Sequence, residues 1–183
     1  MPARERCSLR EMTEADLQLV LSWRNADHVR RFMFTDRIIT GAEHRSWWER
    51  TSTDASTRHY IFELDGIPCG VVNVTGIDPV DGTASWGLYL AEKDAEPGTG
   101  SAMAWLALSE VFGPLGVRTL LCEAFAFNET ALALYDKLGF RRESGGVAHR
   151  LHGGKLEDVV ELALFADEWE RLAVSLVPTV FRG

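Results

Sequence analysis

Between residues 83 and 125 the chain reads as a strand (TASWGLYLA), a glycine-containing loop (EPGTGSA), an apolar helix over about 101–112 and a second strand (VRTLLCEAF). A helix inserted between two strands carries the chain back to the end of the sheet from which it started, so the strands it joins can lie parallel, which a tight turn does not allow. This crossover predicts at least one parallel pairing in the middle of a sheet. Upstream, RHYIFEL alternates as a strand, a DG turn follows, IPCGVVNVTGI returns, and DPVDG leads into TASWGLYLA, which together describe an antiparallel meander. CSLREM reads as a first strand. Three helices are expected next, at TEADLQLVLSWRN with Thr13 as cap, at DHVRRFMF, and at TGAEHRSWWERTS with Thr40 as cap. After the crossover come a further helix over 128–138, two strands at FRRE and LEDVVELALF, and a closing helix at DEWERLAVSL. The expected class is α+β (mixed α/β): a mostly antiparallel sheet of about seven strands with one parallel pairing, flanked by helices. With 183 residues, 46% of them apolar, and neither repeat nor linker, residues 1–183 are expected to form one domain.

Cys7, Cys69 and Cys122 are odd in number, widely spaced and free of any Cys/His metal spacing, so free thiols and no metal site are expected. The charged start MPARERCSLREM has no apolar core of a signal peptide, and no apolar run is long enough to span a membrane. A cytoplasmic protein with no membrane partner is expected. The net charge of −8 argues against a partner held through a nucleic-acid backbone.

In NETALALYDKLGF, residues 128–140, Asn128 stands where an N-cap belongs. Ala131, Leu132, Tyr135 and Leu138 then recur at helical spacing on one face, and Gly139 suits the turn that follows. Asn128 and Tyr135 lie almost two turns apart, roughly 10 Å along the axis. By themselves these residues describe a capped amphipathic helix with a core tyrosine. In the crossover loop, Gly98 and Gly100 let the backbone approach a ligand closely at a helix N-terminus, where unpaired N–H groups favour phosphate.

Strand, phosphate-type loop, helix, strand, then a helix carrying Asn128 and Tyr135: in this order the chain resembles the GCN5-related N-acetyltransferase (GNAT) superfamily. The resemblance implies acetyl-CoA as cosubstrate. Gly98, Gly100, Ser101 and Ala102 would bind its pyrophosphate, the strand with Leu88 and Leu90 would pair with its pantetheine arm, and Asn128 would hydrogen-bond it. Tyr135 would protonate the departing thiolate. The family's loop pattern, Gln/Arg-x-x-Gly-x-Gly/Ala, is met except that Ala95 stands at the Gln/Arg position. Glu96 beside it is unhelpful to an anion, which leaves binding to the backbone amides.

A narrower resemblance lies in LVLSWRNADHVRRFMFTDRIITGAEHRSWWER, which is similar to the acetyltransferases of the pseudaminic-acid pathway. These acetylate the 4-amino group of a UDP-linked 4-amino-4,6-dideoxy sugar. Carried over by position, Arg24 and His44 are candidates for the nucleotide, with Asn25 and Trp48 nearby. Arg24 has the fork geometry that suits phosphate. Trp47 and Trp48 are adjacent on a helix, so one of them is expected to be exposed or to line a pocket.

Direct transfer follows: an amine attacks the thioester, a strand N–H near Leu90 stabilises the developing oxyanion, and Tyr135 protonates sulfur. Glu123 is the first candidate base and His59 the alternative, with Asn73 and Ser85 lining or relaying. No arrangement suggests a covalent acetyl-enzyme. Acetylation of a protein N-terminus, a polyamine or an aminoglycoside is the runner-up activity, and a non-catalytic acyl-CoA-binding domain is a third reading. A monomer or homodimer is expected.

Overall fold

The computed structural model describes residues 1–143 and 148–182. Its strands are β1 (Cys7–Glu11), β2 (Arg58–Leu64), β3 (Ile67–Asp78), β4 (Thr83–Leu90), β5 (Thr119–Phe125), β6 (Arg141–Arg142), β7 (Ala148–His152) and β8 (Lys155–Phe165). The helices are α1 (Leu17–Asn25), α2 (Asp27–Arg30), α3 (Gly41–Thr51), α4 (Thr99–Phe112), α5 (Glu129–Lys137) and α6 (Ala166–Val180). The strands form one sheet in the order β1-β2-β3-β4-β5-β8-β6, with β7 paired to the first half of β8.

Local chemistry accounts for most of these elements. Thr40 and Glu43 make a reciprocal capping box at the start of α3, Thr13 and Asp16 make another in the turn before α1, and Asn128 accepts from the Ala131 N–H at the start of α5. The β2–β3 turn, Asp65-Gly66, has φ of 55° and 73°, the paired left-handed geometry that matches strand twist. Two expectations change. The second helix stops at Arg30, because the chain must turn there to reach α3. Among the described residues the sheet has eight strands, against about seven expected, because AHRLH pairs with β8 across the Gly153-Gly154 turn.

Apolar residues on the two faces of the sheet make two cores. On one face, Phe62, Val72, Leu120 and Leu162 pack against α4, α5 and α6. On the other, Ile61 and Val71 meet Leu17, Val20 and Trp23, with Trp47, Trp48 and Tyr89 at the edge. The predicted parallel pairing joins β4 to β5, but only over Thr83–Ser85 against Thr119–Leu121. Beyond Ser85 the two strands separate, while β5 stays paired with β8 as far as Phe125. This divergence leaves the edge of β4 unpaired in mid-sheet and opens a cleft through the molecule.

Candidate active site

The cleft has a volume of about 1610 Å³ and is walled by β3, β4, β5, the starts of α4 and α5, and the α1–α3 segment. One half is shaped by backbone. Ala91 donates to Cys69 on β3, so by strand alternation the N–H and C=O groups of Leu88 and Leu90 face away from β3, into the gap. At the head of α4, Gly98 has φ of 94°, and a side chain there would meet Met1 Cγ at 2.9 Å, so only glycine fits. The Thr99 N–H is spent on the Glu96 carbonyl and the Ala102 N–H on Gly98. Among the described residues, the amides of Gly98, Gly100 and Ser101 have no backbone acceptor, and all three residues line the cleft. This set of donors fits an anion at a helix N-terminus. Lys137, at the end of α5, places Nζ 3.2 Å from Ser101 Oγ and 2.9 Å from the Thr179 carbonyl, beside the same amides. Glu96 does not oppose them unscreened, because Arg6 Nη1 binds its carboxylate at 3.1 Å.

Tyr135 lines the cleft where the strands part, only 5% exposed, with its ring 6.3 Å from Trp86 and 5.1 Å from Phe140. Burial pushes the phenol pKa well above its ordinary value, and the neighbouring Cys122 thiol adds to the shift. Burial also pushes Cys122 up to about 12. Both groups are therefore protonated at neutral pH, which makes the phenol a proton donor and the thiol no nucleophile. Asn128, two turns above, spends its carbonyl oxygen on the Ala131 N–H at 3.3 Å, which leaves its NH2 group for a ligand.

The other half of the cleft lies on the α1–α3 face of the sheet. Arg24 reaches in from the last turn of α1. Its Nη2 donates to the Thr35 carbonyl at 2.6 Å, while Nη1 is buried and without a partner among the described residues. Burial lowers its pKa, as expected of a guanidinium held away from water. His44 is buried and stacks on Trp47 at 5.0 Å; burial, and after it the charge of Arg24, lower its pKa and keep it neutral. His59 on β2 faces Asn73 on β3, its register partner, with Nδ1 and Oδ1 2.8 Å apart. Asn73 and Ser85 both line the wall.

A family model described as "Acetyltransferase (GNAT) domain" matches residues 6–141. The chain belongs to the GNAT acetyltransferase family. It is an acetyl-CoA-dependent N-acetyltransferase. The spermidine N(1)-acetyltransferase of Escherichia coli strain K12 is 25% identical over 170 residues, covering 92% of this chain and 91% of that one. Acetyltransferase PseH of Campylobacter jejuni is 27% identical over 130 residues, covering 71% of this chain and 80% of its own. In fold, the chain is similar to the spermidine N-acetyltransferase of Vibrio cholerae in complex with CoA and spermine. That structure has a TM-score of 0.84 at 18% identity, over 91% of this chain and 99% of that one.

In this GNAT domain, Leu88, Leu90, Gly98, Gly100, Ser101, Asn128, Tyr135, Arg24, His44, Asn73, Ser85 and Glu123 all line the one cleft. Three expected residues do not. Ala102 is fully buried, its amide bonded within the helix. Asn25 uses both ends of its amide on Ile39, accepting from N–H and donating to C=O at 2.8 Å each, and so pins the segment between α2 and α3. Trp47, not Trp48, lines the cleft, although both pack against the second core, because adjacent residues of a helix point about 100° apart. Glu123 lines the wall, but both its oxygens lie 2.7 Å from Nη2 of Arg150, whose guanidinium rests over the Phe34 ring. One guanidinium nitrogen thus bridges both oxygens and ties the carboxylate to Arg150. Lys137 and Arg150 escaped the sequence reading. Lys137 carries a usable signal, since it lies in the same helix two residues after Tyr135, whereas nothing local ties Arg150 to Glu123.

Among the described residues, no group of three or more His, Cys, Asp or Glu is placed to hold a metal, and no helix is long and apolar enough to cross a membrane.

Proposed function

We propose that the chain, acting as a single domain over residues 1–183, acetylates the primary amine of a small acceptor that also carries an anion, most specifically the 4-amino group of a UDP-linked amino-deoxy sugar. One observation carries this reading: the buried Nη1 of Arg24 lies in the acceptor half of the cleft with no partner among the described residues. A buried guanidinium N–H without an acceptor is costly, and a phosphate oxygen is the partner its geometry suits best. His44, kept neutral beside it, adds no second positive charge and remains able to hydrogen-bond a sugar or base. The similarity of the 19–50 segment to the pseudaminic-acid acetyltransferases supports the same choice.

In this reading the pyrophosphate of acetyl-CoA meets Gly98, Gly100, Ser101 and Lys137, and its arm pairs with the free edge at Leu88 and Leu90. The acetyl carbonyl oxygen lies by the Leu90 N–H, and the thiolate leaves toward the Tyr135 hydroxyl. A buried phenol facing the leaving group argues against a non-catalytic acyl-CoA binder. The free thiols and the need for acetyl-CoA suit the cytoplasm.

A specific feature favours polyamines as a second reading. Glu123 and Glu161 are register partners at the cleft mouth, and Glu143 lines it with them. Mass-spectrometric detection of acetyl transfer to a UDP-4-amino-4,6-dideoxy sugar, spermidine and a peptide N-terminus separates the readings. Arg24→Met is expected to lower kcat/KM for the nucleotide sugar roughly 30-fold or more, about 2 kcal/mol, with KM for acetyl-CoA unchanged. Fast acetylation of spermidine or peptide, with none of the sugar, ends the nucleotide-sugar reading.

A further inference from the structure

We propose that His59 is the base that takes the proton from the acceptor nitrogen as it attacks, with Asn73 fixing the tautomer that makes this possible. The inference rests on the family's N-acetyl transfer and on no particular acceptor.

The geometry fixes the roles of the two ring nitrogens. His59 is 6% exposed and lines the acceptor half of the cleft. Its Nδ1 faces the amide oxygen of Asn73 at 2.8 Å, and an oxygen there accepts, so Nδ1 carries the proton. In the neutral ring, Nε2 is then a bare lone pair. That atom is buried and finds no donor among the described residues, and a buried polar group left so calls for a partner. Trp47 at 4.8 Å and Trp48 at 6.1 Å bracket the ring and hold its orientation. The ring thus holds an unpartnered nitrogen in a residue that lines the cleft.

Its surroundings hold it neutral. Burial draws its pKa below the ordinary value, and the Asn73 hydrogen bond works the other way. The charged and titratable groups that line this side of the cleft include Arg24 from α1, His28 and Arg31 from α2 and the turn after it, Glu43 and His44 from α3, and Tyr89 from β4, and Glu43 is already bound by Arg37. Asn73, Thr75 and Ser85, from β3 and β4, carry no charge. By contrast Glu123, the first carboxylate expected as base, is tied through both its oxygens to Arg150.

A weak base is sufficient for the step. When the neutral amine bonds to the thioester carbon, the nitrogen becomes cationic and its proton strongly acidic. His59 Nε2 takes that proton, the carbon–sulfur bond breaks, and Tyr135 gives its proton to the sulfur. The imidazolium then returns a proton through water to the Tyr135 phenolate. The products are the N-acetylated amine and coenzyme A, with both side chains restored.

The test is His59→Asn, which keeps an N–H for the Asn73 oxygen but has no lone-pair nitrogen. It is read with the acceptor that the wild-type protein acetylates fastest in the screen above. Turnover is expected to fall about 10²-fold with KM for acetyl-CoA unchanged, the acid limb of the kcat/KM profile to vanish, and added imidazole to restore part of the rate. His59→Gln serves as the second variant should the first misfold. Long-range 1H–15N NMR of the wild-type imidazoles checks the premise without any acceptor, and the expected species is neutral with hydrogen on Nδ1. Turnover within about threefold of wild type, a retained acid limb, or hydrogen found on Nε2 overturns the assignment. Failure of the nucleotide sugar alone to react leaves the assignment standing and removes only the acceptor reading.

Discussion

Lys137 and Ser101 touch, Nζ to Oγ at 3.2 Å, so the end of α5 is joined to the start of α4 at the amides that face the cleft. A cation is thereby set beside the proposed phosphate site although Ala95 supplies none. Lys137→Met is expected to weaken coenzyme A binding roughly three- to tenfold at low ionic strength, because the ammonium is exposed and screened. Isothermal titration at two salt concentrations checks this; the loss should shrink as salt rises and kcat should hold.

Tyr135 is buried, protonated and at the fork of the strands. Tyr135→Phe removes the hydroxyl and leaves the ring packing against Trp86 and Phe140. Turnover should fall by about 10²-fold or more while coenzyme A binding and thermal stability persist. Unchanged turnover would return Tyr135 to a packing role.

Asp16 links a helix cap to the sheet. Its carboxylate accepts from Arg10 Nη1 and Nη2 at 2.8 Å and from the Thr13 N–H, and its pKa falls from 3.8 to about 2, chiefly through the Arg10 hydrogen bonds. Because the folded pKa is depressed, the stabilisation is complete above the unfolded value and is lost as pH falls through 3.8 toward 2. At neutral pH it amounts to about 2 kcal/mol. Asp16→Asn should lose this much in urea unfolding at pH about 7 and show a flatter decline below pH about 4.

The order of elements was legible because each had a local cause. Apolar alternation marked β2 and a valine-rich run marked β3, capping threonines started α3 and the turn into α1, and the apolar helix read over about 101–112 required a crossover. The glycine turn that opens α4 and the Asn128 cap that opens α5 were legible as structure for the same reason, each being a local signal. The acceptor half was read less well. Asn25 is as polar as Asn128 and lies in an equally suggestive motif, yet the Ile39 backbone, 14 residues away, claims its amide. Trp47 and Trp48 are identical in type, and only the packing of α3 on the sheet decides which one lines the cleft.

The sequence by itself determined most of the strands and helices, the parallel crossover and the glycine turn, since these follow from interactions between residues close in the chain. Only the tertiary structure decided that Glu123 is bound by Arg150, that His59 keeps a bare nitrogen, and that Arg24 ends buried without a partner. Those outcomes depend on which side chains from distant segments compete for the same lone pairs and protons, and that competition is set by the meeting of elements in space.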